Sequence, residues 1–278
     1  MAPGLLDTAL VAAEAGARQL VAAFRSGSLV AEEKARNDFV SSADRASERA
    51  ILAVLRGAFA GHQVLTEEEG RSGGADSSHE WLVDPLDGTA NFLQGLPVWA
   101  VSVACRRDGA LVAGAVLDPL GGNLFLAERG GGARWNGRPM AVSRHPGLAG
   151  AFLATGFPFR AKAALEAYLA AFRDVFLAAR GIRRCGAATL DLAYTAAGVF
   201  DGFFEFRLSP WDIAAGALLI REAGGRVTDL DGGTAFLETG NVVGGSPGVQ
   251  DELRRALSRH ADEATLDALT PRPAGSSR

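Results

Sequence analysis

One segment, residues 81–92, constrains the fold most, because a buried run there ends abruptly in carboxylates. The three apolar residues before Asp84 predict a buried strand. Pro85 fixes φ and removes a backbone donor, so we expect the chain to leave the strand at that point. Asp87 is then predicted to be the N-cap of a short helix that begins directly after it.

The two carboxylates of this segment, Asp84 and Asp87, are predicted to share one small volume with the Leu86 carbonyl. Hard cations such as Mg²⁺ prefer oxygen ligands of this kind. The N–H groups of Gly88 and Thr89 would face the same volume, and a helix N-terminus beside glycine lets a phosphate come close. A plain turn is the alternative, because Asp-Pro and Asp-Gly are common turn dipeptides.

Further acidic residues lie at the ends of other predicted elements. Three glutamates, residues 67–69, follow a short apolar stretch, and they are also typical of a solvated face. Asp212 opens an apolar helix and Asp44 lies in the first turn of another, where acids favour the helix dipole. A carboxylate near Asp84 at a neighbouring strand end would hold both a metal ion and a water molecule.

The pattern of elements favours a layered fold. After Pro146, predicted strands and helices alternate, which indicates helices on both sides of a sheet. Before it, two apolar runs flank Asp108-Gly109, a pair typical of a tight hairpin. The glycine- and serine-rich residues 70–78 predict a mobile loop.

The composition narrows the class of protein. The 278 residues are 48% hydrophobic and 22% charged, which is ordinary for a globular chain. A net charge of −4 argues against a nucleic-acid partner, since such surfaces carry a basic excess. No charge-free apolar run is long enough to cross a bilayer, so we expect no membrane partner. Cys105 and Cys185, without an export signal, predict reduced thiols and a cytoplasmic location.

Two motifs carry a resemblance to the inositol monophosphatase family, within the lithium-sensitive, Mg²⁺-dependent phosphatases. Asp84-Pro85-Leu86-Asp87-Gly88-Thr89 resembles the first family signature, and residues 211–216, Trp-Asp-Ile-Ala-Ala-Gly, resemble the second. A Glu-Glu pair is matched at Glu67-Glu68, and the similarity extends over residues 38–225. Both signatures in this order are far more specific than either alone.

The resemblance implies an α+β fold, a layered αβαβα sandwich of the inositol monophosphatase and fructose-1,6-bisphosphatase type. It implies an N-terminal α+β half at residues 1–146 that carries most metal ligands. A C-terminal α/β half at residues 147–265 would carry Asp212 and the substrate loop, and residues 266–278 are expected to form a disordered tail.

The resemblance also implies the metal ligands. Two to three Mg²⁺ ions per active site are expected on Glu67, Asp84, the Leu86 carbonyl, Asp87 and Asp212. Asp44, with Glu67, matches the place of a weaker third ion.

Roles in catalysis and substrate binding follow by the same resemblance. Glu67 and Thr89 match the pair that orients and activates the attacking water, and Gly88 and Thr89 match the phosphate-binding amides. Substrate contacts are implied for Gly186, Ala188 and Glu205. Lys34 resembles a family lysine, although its spacing is one residue short.

The activity implied by the resemblance is hydrolysis of a small sugar-alcohol phosphate, first of all myo-inositol monophosphate, by direct attack of a metal-activated water. The resemblance also implies a homodimer and inhibition by lithium. Histidinol phosphate and fructose-1,6-bisphosphate remain alternative substrates, and a 3′-phosphoadenosine nucleotide is the least favoured substrate. A regulatory protein-binding member with a weak or vestigial site is the alternative from another class.

Overall fold

The computed structural model describes residues 4–26, 31–35, 38–157, 159 and 162–260. Among these residues the helices are α1 (Leu5–Ser26), α2 (Ser42–Ala58), α3 (Thr89–Leu93), α4 (Leu165–Ala178), α5 (Ala188–Ala196), α6 (Pro210–Glu222), α7 (Phe236–Thr239) and α8 (Pro247–Ser258). The strands are β1 (Ala31–Ala35), β2 (Asp38–Ser41), β3 (His62–Thr66), β4 (Gly70–Gly73), β5 (Asp76–Asp87), β6 (Ala100–Arg107), β7 (Ala110–Asp118), β8 (Asn123–Glu128), β9 (Gly132–Trp135), β10 (Arg138–Pro139), β11 (Phe152–Thr155), β12 (Gly181–Arg183), β13 (Gly202–Glu205), β14 (Arg226–Thr228) and β15 (Val242–Gly245).

The strands form two main sheets. The larger sheet has eight strands in the order β10-β9-β8-β7-β6-β5-β3-β4, and the smaller has five in the order β12-β11-β13-β15-β14. β1 and β2 pair separately. Within the larger sheet β3 and β5 run parallel, with Thr66 opposite Val83. Because parallel strands end at the same edge, the residues that follow β3 lie beside the end of β5.

Three apolar cores fill the four interfaces between five layers, because one core lies on both sides of α5 and α6. On β5 the side chains alternate, so that Trp81 and Val83 pack towards α1 and α2 while Leu82 packs towards α5 and α6. The other face of α5 and α6 meets the smaller sheet at residues such as Phe203. The far face of that sheet, including Phe204, packs against α4 and α8. This arrangement confirms the predicted α+β fold with αβαβα layers.

The predicted hairpin around Asp108-Gly109 is confirmed, because β6 and β7 pair directly on either side of it. Asp108 and Gly109 have φ values of 50° and 79°, the left-handed conformation that a tight two-residue turn requires. The division into halves at residue 146 stays a prediction, and the predicted tail at residues 266–278 lies outside the described residues. No helix within the described ranges has the length and apolarity needed to span a membrane.

Two local predictions are wrong. Residues 70–78, expected to be a mobile loop, contain β4 and the start of β5 instead. Both strands hydrogen-bond to β3, so tertiary pairing overrides the glycine-rich composition. The chain also does not leave the strand at Pro85, because β5 continues to Asp87 through an irregularity in its pairing with β6. Such a bulge accommodates proline's missing donor.

Candidate active site

The predicted site residues converge at one pocket, which has a volume of about 210 Å³. The pocket lies where the end of β5, the turn after β3 and the first turns of α5 and α6 meet. Nearly all the predicted ligands and substrate contacts line it: Glu67, Asp84, Leu86, Asp87, Gly88, Thr89, Gly186, Ala188, Glu205 and Asp212.

The end of β5 supplies the pocket floor. Asp84 is 2% exposed, and its Oδ1 accepts the Leu86 N–H at 2.9 Å. This short-range bond spans Pro85 within the bulge of β5, and Asp84 lines the pocket. The Leu86 side chain is buried, whereas its carbonyl oxygen accepts a hydrogen bond from the Thr89 hydroxyl at 3.1 Å.

Asp87 does not cap the helix that follows it, contrary to the prediction from sequence. The N-cap of α3 is Gly88, and Asp87 ends β5. Asp87 Oδ2 instead accepts the N–H of Thr189, at 2.7 Å, together with the Thr189 hydroxyl. The carboxylate therefore caps the first turn of α5, which lies about a hundred residues further along the chain.

A tight turn between β5 and α3 brings two backbone amides to the pocket. Gly88 has a φ of 92°, and a Cβ atom there would lie 2.9 Å from the Val98 carbonyl oxygen, so only glycine fits. The hydroxyl of the next residue, Thr89, lies 3.3 Å from Asp44 Oδ1 on α2. Asp44 is fully buried beneath the pocket and contacts it through this threonine.

Two other elements bring one carboxylate each. Glu67 follows β3 directly, so the parallel pairing of β3 with β5 sets it beside Asp84. Asp212 lies in the first turn of α6, where its Oδ2 accepts the Ser209 N–H at 2.8 Å. Pro210 occupies the first position of this helix, where its missing donor costs nothing.

Burial and like charges perturb these acids strongly. Burial raises the pKa of Asp84 well above its usual range, and the charges of Glu67, Asp87 and Asp212 raise this pKa further. Burial and the charge of Asp212 raise the pKa of Asp87 to about 7, although the hydrogen bonds from α5 oppose this rise. A divalent cation among these carboxylates would relieve both effects.

The opposite wall of the pocket carries the predicted substrate contacts. Burial and the charges of neighbouring carboxylates, Asp191 first, raise the pKa of Glu205 well above its usual range. Gly186 lies in the loop that enters α5, and Ala188 is the first residue of that helix. The Asn91 amide group donates to the Cys185 carbonyl at 3.0 Å and so ties this loop to α3.

One predicted residue is only partly described, and two further residues line the pocket. Lys34 belongs to β1, but its side chain lies outside what the structure describes. Arg184 lines the pocket, whereas the guanidinium of Arg183 lies 4.8 Å from the Phe152 ring centre. Asp191, which the sequence did not single out, lines the pocket too, and burial raises its pKa to about 8.

The donor set fits a hard divalent cation. Glu67, Asp84, Asp87 and Asp212 offer carboxylate oxygens, and Leu86 offers a carbonyl oxygen, all facing the same pocket. Oxygen ligands of this type suit Mg²⁺ or Mn²⁺. A different cluster, His62, Asp76 and His79, does not fit: the two imidazole rings stack with planes 7° apart, so no ion can lie in both ring planes.

Known proteins resemble this chain over most of its length. The sequence pattern of the inositol monophosphatase family matches residues 5–263. Nus factor SuhB of Escherichia coli strain K12 is 46% identical over an alignment of 237 residues, which covers 82% of this chain and 89% of that protein. Inositol-1-monophosphatase of Mesorhizobium japonicum is 47% identical over 226 residues, 81% and 85% of the two proteins. The crystal structure of extragenic suppressor protein suhB from Bartonella henselae has a TM-score of 0.88 at 42% identity, over 92% of this chain and 98% of that one.

Proposed function

This chain belongs to the inositol monophosphatase family, and from that premise we propose that it hydrolyses phosphate monoesters of small sugar alcohols with the help of Mg²⁺. One observation carries the proposal: carboxylates from the ends of β3 and β5 and from α6 line one pocket beside the Gly88-Thr89 turn. Phosphate-monoester hydrolysis is so slow without a catalyst that charge stabilisation and alignment must supply about 20 kcal/mol or more.

In this proposal Glu67, Asp84, Asp87, Asp212 and the Leu86 carbonyl hold the metal. Bound Mg²⁺ would neutralise charge on the phosphate and lower the pKa of the attacking water. Glu67 and Thr89 orient that water, and the Thr89 hydroxyl is itself positioned by Asp44 and the Leu86 carbonyl. The amides of Gly88 and Thr89 donate to the phosphate oxygens.

The substrate end of the pocket favours a polyol. Glu205 and the loop at Gly186 and Ala188 face the place where the alcohol part would lie. Burial raises the pKa of Glu205, and in its protonated form this carboxyl group would both donate to and accept from hydroxyls. We propose myo-inositol monophosphate as the first substrate, with histidinol phosphate and fructose-1,6-bisphosphate as alternatives. Arg184 would favour an ester with a second anionic group.

A panel of phosphate esters assayed with Mg²⁺ tests the activity and the substrate together. Asp87→Asn and Asp212→Asn are expected to abolish Mg²⁺-dependent turnover in proteins that still fold, as judged by circular dichroism. Full activity in either variant would contradict the proposed metal site.

A regulatory role is the second candidate, because relatives at 46% identity bear the name Nus factor SuhB. A pull-down of cellular partners, repeated with the inactive Asp212→Asn variant, separates this role from hydrolysis. Partner capture that survives the loss of activity would support a regulatory function. A homodimer, lithium sensitivity and a cytoplasmic location remain parts of the proposal that rest on family resemblance.

A further inference from the structure

A buried glutamate on α2 holds the turn that carries Glu67. Glu48 is 1% exposed, and its two carboxylate oxygens each accept one backbone hydrogen bond. Oε2 accepts the Glu68 N–H and Oε1 accepts the Glu69 N–H, both at 3.0 Å. The Thr66 hydroxyl oxygen also accepts the Glu69 N–H, at 3.3 Å. One side chain thus fixes two consecutive amides directly after β3.

These bonds constrain Glu67 even though Glu48 does not bind its side chain. The Glu68 N–H lies in the same planar peptide unit as the Glu67 carbonyl, so fixing one fixes the other. On the other side of Glu67, Thr66 is held in β3 by its pairing with β5 opposite Val83. With both flanking peptides fixed, the Cα–Cβ bond of Glu67 has a set direction at the end of β3, next to the end of β5 where Asp84 lies.

The same face of α2 contacts two more segments of the proposed metal site. Ser47 Oγ donates to the Pro85 carbonyl at 2.8 Å, within the bulge between Asp84 and Asp87. Asp44 accepts from Thr89. Residues three and four apart share a helix face, so Asp44, Ser47 and Glu48 align three parts of the site from one rigid element.

We propose that Glu48 is a positioning residue for the metal site, which sets Glu67 against Asp84 through the two amides that follow it. This inference rests on the proposed phosphatase function. Partners that orient metal ligands typically change metal affinity or activity about 10–100-fold when they are replaced.

Glu48→Gln is the test, since glutamine has the same shape but only one acceptor oxygen. Glu222 provides a matched control, because its two carboxylate oxygens accept the Gly130 and Gly132 N–H groups, both at 3.0 Å, at the far end of α6. The probes are Mn²⁺ binding, followed by loss of the free-ion electron paramagnetic resonance signal, and the Mg²⁺ concentration that gives half-maximal turnover. Hydrogen exchange of the metal-free proteins reports on the affected amides.

Glu48→Gln is expected to weaken Mn²⁺ binding and raise the Mg²⁺ requirement about 10–100-fold, with little change in the KM for the ester. Its 68 and 69 amides should exchange faster. Glu222→Gln should accelerate exchange only at residues 130 and 132 and leave metal binding unchanged. Thr66→Val, which removes the supporting hydroxyl, should shift metal binding in the same direction by less and serves if Glu48→Gln does not fold.

Unchanged Mn²⁺ affinity in Glu48→Gln, despite faster exchange at residues 68 and 69, would overturn the inference. Equal weakening by Glu48→Gln and Glu222→Gln would overturn it as well, since it would indicate general destabilisation. Wild-type protein that binds Mn²⁺ but hydrolyses none of the esters would instead count against the proposed function, and the Mn²⁺ comparison would still decide the role of Glu48.

Discussion

Asp87→Asn should stabilise the protein at pH 8 when no metal is present. Burial and the neighbouring charge of Asp212 raise the pKa of Asp87 to about 7 from an ordinary value of 3.8. The folded protein therefore holds a proton on this carboxyl that the unfolded chain releases at lower pH. Ionised Asp87 opposes folding, and asparagine removes that charge without changing the shape of the side chain.

The size of this effect follows from linkage. Between pH 4 and 7 the folded state binds more protons than the unfolded state, so stability falls as the pH rises, and above pH 7 the whole penalty is present. A rise of about 3 pKa units corresponds to about 4 kcal/mol, as an upper limit. The substituted asparagine would still accept from α5 but would lose a favourable charge at the helix N-terminus, which costs roughly 0.3–1 kcal/mol.

The expected net gain is thus about 3 kcal/mol at pH 8, or a rise in Tm of roughly 5–10 °C, and close to zero at pH 4. Thermal unfolding followed by circular dichroism in a chelator, at both pH values, measures this difference. Asp201→Asn is the control. Asp201 lies away from the pocket and accepts the Phe152 N–H at 2.7 Å, so this substitution should give no gain in Tm. An Asp87→Asn protein no more stable than wild type at pH 8, or equally stabilised at pH 4, would refute the reasoning. Added Mg²⁺ should raise the Tm of the wild type alone.

Two substitutions at glycine test packing on either side of the pocket. Gly156→Ala should raise the KM for a polyol phosphate more than it lowers kcat, because the new methyl group would overlap the Glu205 carboxylate and displace it. An unchanged KM would contradict the role of Glu205. Gly216→Ala should lower the free energy of unfolding, measured by urea denaturation, by about 1–3 kcal/mol. The reason is that its methyl group would overlap Leu192 across the contact between α5 and α6. Unaltered stability would show that these helices separate easily.

The sequence predicts well those features that local chemistry decides. The Asp108-Gly109 hairpin follows from two residues that tolerate positive φ, and the two signature motifs identify the ligands that meet in the pocket. Residues 70–78 show the limit of local reasoning. Their composition indicates a loop, but β3 offers hydrogen-bond partners on both of its edges, and pairing decides the outcome.

The partners of single side chains are the least predictable part. Asp87 has the local features of an N-cap, but it ends β5, and its carboxylate accepts an N–H from the first turn of α5, a helix that is distant in sequence. Nothing near Asp87 in the chain indicates Thr189. Glu48 does leave a signal, because it falls on the same helical stripe as Ile51, Leu52 and Leu55, where an acid must find buried donors.

The bulge at Pro85 has a consequence for the two aspartates beside it. Between the pairs Asp84–Ser102 and Asp87–Ala100, β5 advances three residues while β6 advances two. In a regular strand, side chains an odd number of positions apart point to opposite faces, so Asp84 and Asp87 would be separated by the thickness of the sheet. The one inserted residue reverses that parity and turns both carboxylates to the same side. Deleting a single residue between Asp84 and Asp87 would keep every acidic residue of the chain but would remove the bulge that positions these two carboxylates.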